Sequence, residues 1–180
     1  MNLKKLVTAA VCTMLMAAVA FTGGCGGEKK SDKKVLKVGM ECAYAPYNWS
    51  QTKADGGAVK IAGSNEYAYG YDVMMAKKLA DSMGADLEIH KIEWDGLAPA
   101  VVSGKIDAAI AGMSITSKRK ETVDFTKPYY YATVVALVKK DSEQAKAQSV
   151  ADLKGSVATS QLNTIWYDQI DQVPDVKKLP

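Results

Sequence analysis

The chain has 180 residues, of which 48% are hydrophobic and 24% charged, an ordinary globular composition. The formal net charge of +3 falls to about +1 without Lys4 and Lys5, so no basic field indicates nucleic-acid binding. The single histidine, His90, excludes a histidine-rich metal site and argues against a Ser-His-Asp triad, and its alternating surroundings predict the solvent side of a strand. We predict neither a metal ion nor a cofactor.

The first 34 residues are predicted to form a leader and a tether. A basic start precedes an apolar stretch over 6–21, which is too short for a comfortable membrane span. The small residues before Cys25 resemble a bacterial lipobox, although Thr22 stands where a leucine is usual; plain signal cleavage with an unmodified Cys25 is the alternative. We predict a lipoprotein signal peptide over 1–24, lipid attachment at Cys25 and a flexible tether over 25–34.

The cysteines predict no disulfide in the mature chain. Cys12 would leave with the leader, and Cys25 would carry the lipid. Cys42 then remains as the only internal thiol, so no intramolecular staple is available.

Strands and helices alternate after residue 34, which predicts an α/β fold. The third strand has a continuous apolar centre, typical of a strand covered on both faces in a parallel sheet. Asp72 suits the N-cap of the first helix, and Gly84 suits its end. Strands are predicted at 35–40, 86–92 and 106–111, and helices from Asp72 to Gly84 and over 97–103.

Aromatic residues follow the first strand directly. Tyr44, Tyr47 and Trp49 are spaced around Pro46. Open α/β sheets bind ligands at the carboxyl ends of their strands, so these residues are predicted ligand walls, with a minor core cluster as the alternative. The polar, glycine-bearing stretch over 50–65 predicts a hairpin or surface excursion.

Arg119 is the only arginine beside 22 lysines. Its planar fork can grip a carboxylate with two parallel hydrogen bonds. Gly112 and Ser114 lie just past the third strand, and Thr116 or Ser117 can cap a short helix carrying Arg119 in its first turn, where the positive helix end favours an anion. We predict an anion clamp; a solvated basic turn is the alternative.

The last third predicts a second, smaller unit. A β-rich run over 129–138 is long enough to leave one domain and start another. Beyond it come a capped helix over 149–155, a strand over 157–160, a helix over 165–172 that Thr164 begins, and a strand from 175. These elements are too few for a separate core, so we expect a fragment or a truncated product; packing of this piece on the first unit is the alternative.

Several motifs resemble one known family when they are taken in order. They are Glu41-x-x-Tyr44-x-Pro46-Tyr47, Gly70-Tyr71-Asp72-Val73, Trp94-x-Gly96-Leu97-x-Pro99-Ala100, Gly104-Lys105-Ile106-Asp107, Ala111-Gly112-Met113-Ser114-Ile115-Thr116-x-x-Arg119 and Asp124-Phe125-Thr126-x-Pro128-Tyr129. They resemble family 3 solute-binding proteins, the extracytoplasmic receptors of polar amino acid ABC importers. The resemblance implies a type II periplasmic-binding-protein clamshell of two α/β lobes, with lobe 1 over 35–133, a hinge crossing over 134–140 and a partial lobe 2 over 141–180.

The resemblance also implies a ligand site. Arg119 would hold the α-carboxylate, Ser114 would add its hydroxyl, and Tyr44 and Trp94 would sandwich the side chain. The implied ligand-binding residues are Glu41, Tyr44, Trp94, Ala111, Gly112, Ser114, Arg119, Gln161, Thr164 and Ile165. The aspartate with which this family holds the α-ammonium lies beyond the chain, so we expect weaker than micromolar binding, since losing a buried charged partner costs ~2–5 kcal/mol.

The function implied is a non-catalytic, monomeric receptor that is lipid-anchored outside the cell membrane. Its partners would be a free polar amino acid and the permease subunits of an ABC importer. The alternative is a dehydratase of this fold acting on a cyclic amino acid precursor, with Glu41 as general acid. A sensor domain and a non-binding structural remnant are further alternatives.

Overall fold

The computed structural model describes residues 33–180. The predicted signal peptide over 1–24, Cys12, the predicted lipid attachment at Cys25 and most of the predicted tether lie outside the described residues. Within the described part, no helix has the length and apolar character that a membrane span requires.

Strands and helices alternate along the described chain, with short 3-10 turns between them. The strands are β1 (Val35–Met40), β2 (Ala43–Tyr44), β3 (Asn48–Gln51), β4 (Val59–Lys60), β5 (Tyr67–Tyr69), β6 (Asp86–Lys91), β7 (Ala108–Ala109), β8 (Val157–Ala158) and β9 (Lys177–Lys178). The helices are α1 (Tyr71–Met83), α2 (Leu97–Val102), α3 (Ser117–Lys120) and α4 (Ile165–Gln169).

A parallel sheet of order β6-β1-β7 forms the centre. Val38 is paired with Ile89 on one side and with Ala108 on the other, and both Val38 and Ile89 are fully buried. Such burial contributes roughly 1.5–3 kcal/mol for each side chain relative to exposure. α1 covers this core with Val73, Ala76 and Ala80. The predicted parallel α/β centre is confirmed.

Three sequence predictions for this first part differ from the structure: the N-cap residue of the first helix, the length of the third strand and the exposure of the His90 side chain. The N-cap of α1 is Gly70 (φ 126°), and Asp72 lies buried in the first turn. Only glycine fits at position 70, because a Cβ there would lie 2.3 Å from the Tyr47 carbonyl oxygen. The third strand shortens from 106–111 to Ala108–Ala109. His90 lies in β6 as predicted, but its side chain is only 22% exposed and lies 2.6 Å from Glu88.

The stretch predicted as a hairpin or surface excursion contributes to a second sheet. This antiparallel sheet has the order β2-β3-β5-β4, and its register pairs Trp49 with Tyr69. The two rings meet edge to face at 5.1 Å. The sheet therefore fixes the loop after β1, where the predicted aromatic wall lies.

The β-rich run predicted as a crossing forms no strand in the structure. Residues 131–140 are exposed, and Leu137 is 99% exposed. Valine-rich sequence favours a strand only when it can pair and pack, and no strand among residues 33–180 pairs with this run. The described residues form one compact unit, and the lobe boundaries at 133 and 140 stay predictions.

The remaining elements are shorter than predicted. The helix over 149–155 is a 3-10 turn, Val150–Leu153, which a capping box between Ser149 and Asp152 begins. The helix over 165–172 is α4 followed by a 3-10 turn, and the two predicted strands pair in parallel as β8 and β9.

Candidate ligand-binding cleft

A cleft of about 280 Å³ lies between the loops that follow β1 and β7, the segment over 125–134 and the start of α4. These loops leave the carboxyl ends of neighbouring parallel strands, the usual place for a ligand in an open α/β sheet. Its lining is mainly apolar, with several aromatic residues. It includes Tyr44, Tyr47, Gly112, Ser114, Ile165 and Trp166.

Aromatic rings form one wall of the cleft. Tyr44 stacks on Tyr47 at 4.9 Å between centroids and meets Trp166 at 5.8 Å, while Tyr47 meets Tyr130 edge to face at 5.2 Å. The wall prediction named Tyr44 and Tyr47 but missed Trp166. An aromatic residue in the first turn of a predicted helix after a ligand loop was the signal available for it.

The Tyr44 ring lies close to the backbone of Gly112, where glycine has no side chain in the way. The Gly112 φ of +62° is in the left-handed region, and a Cβ there would lie 3.3 Å from Tyr44 Cε1. The Gly112 N–H donates to the Tyr129 hydroxyl across 3.0 Å, so this donor is already paired. Ala111 beside it is buried in the core and does not line the cleft.

Arg119 is partly buried and contacts Ser114, a residue that lines this cleft. Thr116 caps α3 by accepting the Arg119 N–H across 3.1 Å. The guanidinium donates from Nη1 to the Ser114 carbonyl (2.7 Å) and from Nη2 to the Asn163 carbonyl (3.0 Å), and its Cζ lies 5.3 Å from the Trp94 ring. Burial lowers the pKa of Arg119 from its usual value, against the opposing effect of the Asp168 carboxylate.

Asn163 joins the segment before α4 to Arg119 and Trp94, a role that the sequence analysis did not predict. It adopts a left-handed conformation (φ 59°), which asparagine tolerates better than most residues. Its carbonyl also accepts Trp94 Nε1–H across 3.0 Å, and its Nδ2 donates to both carboxylate oxygens of Asp95 at 2.9 and 3.0 Å. One residue therefore contacts three side chains of the first part of the chain.

Glu41 and Gln161 join the loop after β1 to the loop before α4, outside the residues that line the cleft. Gln161 Nε2 donates to Glu41 Oε1 across 2.7 Å. Thr164, only 2% exposed, donates its hydroxyl to the Gln161 carbonyl (2.7 Å) and accepts the Tyr167 N–H (3.2 Å). The hydroxyl of Thr164 therefore fixes the loop and caps α4.

The predicted site residues thus fall into three adjoining groups. Tyr44, Gly112, Ser114 and Ile165 line the cleft, Trp94 and Arg119 converge on Asn163, and Glu41 faces Gln161. Among residues 33–180, no three His, Cys, Asp or Glu side chains lie close enough to hold a metal ion. The arrangement offers one forked cation, aromatic faces and one carboxylate, a set suited to binding a small zwitterion.

Residues 36–175 match the bacterial extracellular solute-binding proteins, family 3, and the chain belongs to this family. The arginine-binding extracellular protein ArtP of Bacillus subtilis (strain 168) is 31% identical over 167 residues, which are 93% of this chain and 59% of that protein. The ABC transporter arginine-binding protein 1 of Escherichia coli (strain K12) is 32% identical over 176 residues, 97% of this chain and 61% of that protein.

A solved structure, the ancestral amino acid-binding protein AncCDT-1, described as a precursor of cyclohexadienyl dehydratase, superposes with a TM-score of 0.67 at 34% identity. The match covers 81% of this chain and 60% of that one. The chain spans about 60% of the length of these relatives. The predicted family and the type II periplasmic-binding-protein fold are confirmed, and the relatives named here are binding proteins.

Proposed function

We propose that this protein binds a free polar amino acid outside the cytoplasmic membrane and delivers it to an ABC importer without catalysis. The observation that carries the proposal is the placement of Arg119. Its guanidinium is half-buried beside the cleft, and two of its nitrogens donate to carbonyl oxygens of Ser114 and Asn163. A ligand carboxylate can bind the remaining N–H donors and form a charge-assisted pair, which is stronger than a hydrogen bond between neutral groups.

The side chain we propose for the ligand is cationic, with L-arginine as the first candidate. Tyr44 presents an aromatic ring to the cleft, and the Trp94 ring already lies 5.3 Å from one guanidinium, that of Arg119. Glu41 Oε1 accepts a hydrogen bond from the Gln161 amide. A guanidinium can supply the same donor with added charge. The names of the two relatives, both arginine-binding proteins, support this choice.

The partners and location we propose follow the relatives. One is named as an extracellular protein and the other as part of an ABC transporter. We propose a monomer that presents its ligand to permease subunits, held to the membrane by a lipid on Cys25.

The experiment is a calorimetric titration with the twenty amino acids up to millimolar concentration, for the wild type, Arg119→Lys and Lys120→Ala. Arg119→Lys keeps the charge but loses the fork, so we expect affinity to fall about 10- to 100-fold, the value of one to two lost charged hydrogen bonds. Lys120→Ala removes one charge from the same turn and should bind normally.

Two results would overturn this proposal. The first is equal affinity of Arg119→Lys and the wild type, which would refute the clamp. The second is the absence of saturable binding of any amino acid by the wild type. Mass spectrometry of the ligand after incubation should show an unchanged mass, whereas loss of water would indicate the dehydratase chemistry instead.

A further inference from the structure

One buried carboxylate, that of Asp72, receives hydrogen bonds from two sides. Tyr129 Oη donates to Oδ1 across 2.8 Å, and Asn48 Nδ2 donates to Oδ2 across 2.7 Å. Asp72 is 0% exposed. Since a buried carboxylate without partners is costly, both donors are held firmly in this arrangement.

Each donor in turn holds one of the two loops that line the cleft. Asn48 Oδ1 accepts the N–H of Cys42 across 2.8 Å, in the loop after β1. Tyr129 Oη accepts the N–H of Gly112 across 3.0 Å, in the loop after β7. Asp72 therefore lies at the centre of one continuous network that joins both loops, and such chains of hydrogen bonds strengthen one another.

Tyr129 is itself fixed at three points. Its hydroxyl lies between Asp72 and Gly112, its carbonyl accepts the Tyr71 hydroxyl across 3.1 Å, and its ring stacks on the Tyr71 ring at 6.1 Å. The ring also lines the cleft. The hydroxyl and the ring consequently have separate roles, the first in the network and the second in the wall.

We infer that Tyr129 is a positioning residue for ligand binding: its hydroxyl holds Gly112, over which the Tyr44 ring lies, in the geometry that shapes the cleft. The inference rests on the proposed function, because its consequence is a change in ligand affinity. Tyr129→Phe removes the hydroxyl alone and leaves the Gly112 N–H without its acceptor and Asp72 without one donor.

The test compares the full chain carrying Tyr129→Phe with the wild type and with Tyr69→Phe, a half-buried tyrosine on β5 outside the network. Titration with L-arginine measures affinity, and hydrogen exchange measures the protection of the Gly112 amide. We expect Tyr129→Phe to weaken affinity at least about tenfold and to speed Gly112 exchange by a similar factor, as expected for a lost hydrogen bond to a buried charge. Tyr69→Phe should change neither quantity.

The outcomes separate this inference from the function on which it rests. If the wild type binds arginine and Tyr129→Phe binds it equally well, only the inference fails. If the wild type binds no amino acid, the proposed function fails and the inference fails with it. If Tyr129→Phe does not fold, hydrogen exchange of the Gly112 amide in the wild type still tests the inference. An unprotected amide would overturn it, and protection of at least about a hundredfold would support it.

Discussion

The guanidinium of Arg119 donates to the backbone carbonyl of Asn163 across 3.0 Å, joining residues 44 positions apart. Trp94 Nε1 donates to the same oxygen, also across 3.0 Å. The Asn163 carbonyl therefore accepts hydrogen bonds from two side chains of the first part of the chain. The contacts of Arg119 with the Ser114 and Asn163 carbonyls use two of the five N–H donors of the guanidinium, so the remaining donors stay available for a ligand carboxylate while the Asn163 carbonyl holds the side chain in place.

At position 163, the free energy of unfolding should depend more on the left-handed backbone conformation than on the side-chain amide of Asn163. Asn163→Gly keeps the left-handed conformation and loses the exposed bonds to Asp95, so we expect a cost of about 1 kcal/mol or less in the free energy of unfolding. Asn163→Ala loses the same bonds and adds about 1–2 kcal/mol of left-handed strain. Urea unfolding measures both, and equal stabilities would contradict the role of the conformation.

Substitution of Gly112 should have two costs, backbone strain and a steric contact, and a comparison with Gly84 separates them. Gly112 and Gly84 share a φ of +62°, but only at Gly112 does a Cβ meet a neighbour, Tyr44 Cε1 at 3.3 Å. We expect Gly84→Ala to cost about 1–2 kcal/mol of strain and to leave ligand binding unchanged. Gly112→Ala should cost at least as much and also weaken binding, because the Tyr44 ring must shift. Unaltered ligand affinity in the Gly112 variant would show that this contact does not shape the site.

Asp72 should make stability depend on pH in a defined direction. Burial raises the pKa of Asp72 from its usual value, and the hydrogen bonds from Asn48 and Tyr129 oppose that effect. Because the folded pKa lies above the unfolded one, the folded state binds more protons between the two values. The stability gained from this protonation is therefore lost as pH rises through the folded pKa.

The measurement for this pH effect is urea unfolding of the wild type and Asp72→Asn between about pH 7 and about pH 4. We expect the stability of the wild type relative to Asp72→Asn to increase as pH falls. The same pH dependence in both proteins would remove Asp72 as the cause.

Local patterns predicted the elements whose signals lie within one stretch. The alternation of Leu36, Val38 and Met40 predicted β1 with its bounds, and the apolar stripe ending at Gly84 predicted α1. Arg119 was identified because it is the only residue of its type. These features depend on periodicity, capping and composition, which a single sequence carries.

Contacts between distant segments were not predictable in the same way. Trp166 and Asn163 join the site because the segment around α4 packs near Tyr44 and Trp94. The aromatic residue type and the helix start are local signals at Trp166, but the identity of its partner is not, and Asn163 carries no local signal at all. Asp72 has the residue type of an N-cap, yet Gly70 takes that place and the carboxylate pairs with Asn48 instead. Pairing over such separations depends on the tertiary fold rather than on propensity.

Glu41 should set the preference for a cationic ligand. Its carboxylate accepts an amide hydrogen bond from Gln161 across 2.7 Å, and a guanidinium would form a stronger, charge-assisted bond at that oxygen. Glu41→Gln should therefore weaken L-arginine about tenfold or more while changing L-glutamine much less. Glu93→Gln, which removes an exposed carboxylate near Trp94, is the control for net charge and should leave both affinities unchanged. Competition between the two amino acids on each variant reports the ratio directly, and an unchanged ratio in Glu41→Gln would place the ligand side chain elsewhere in the cleft.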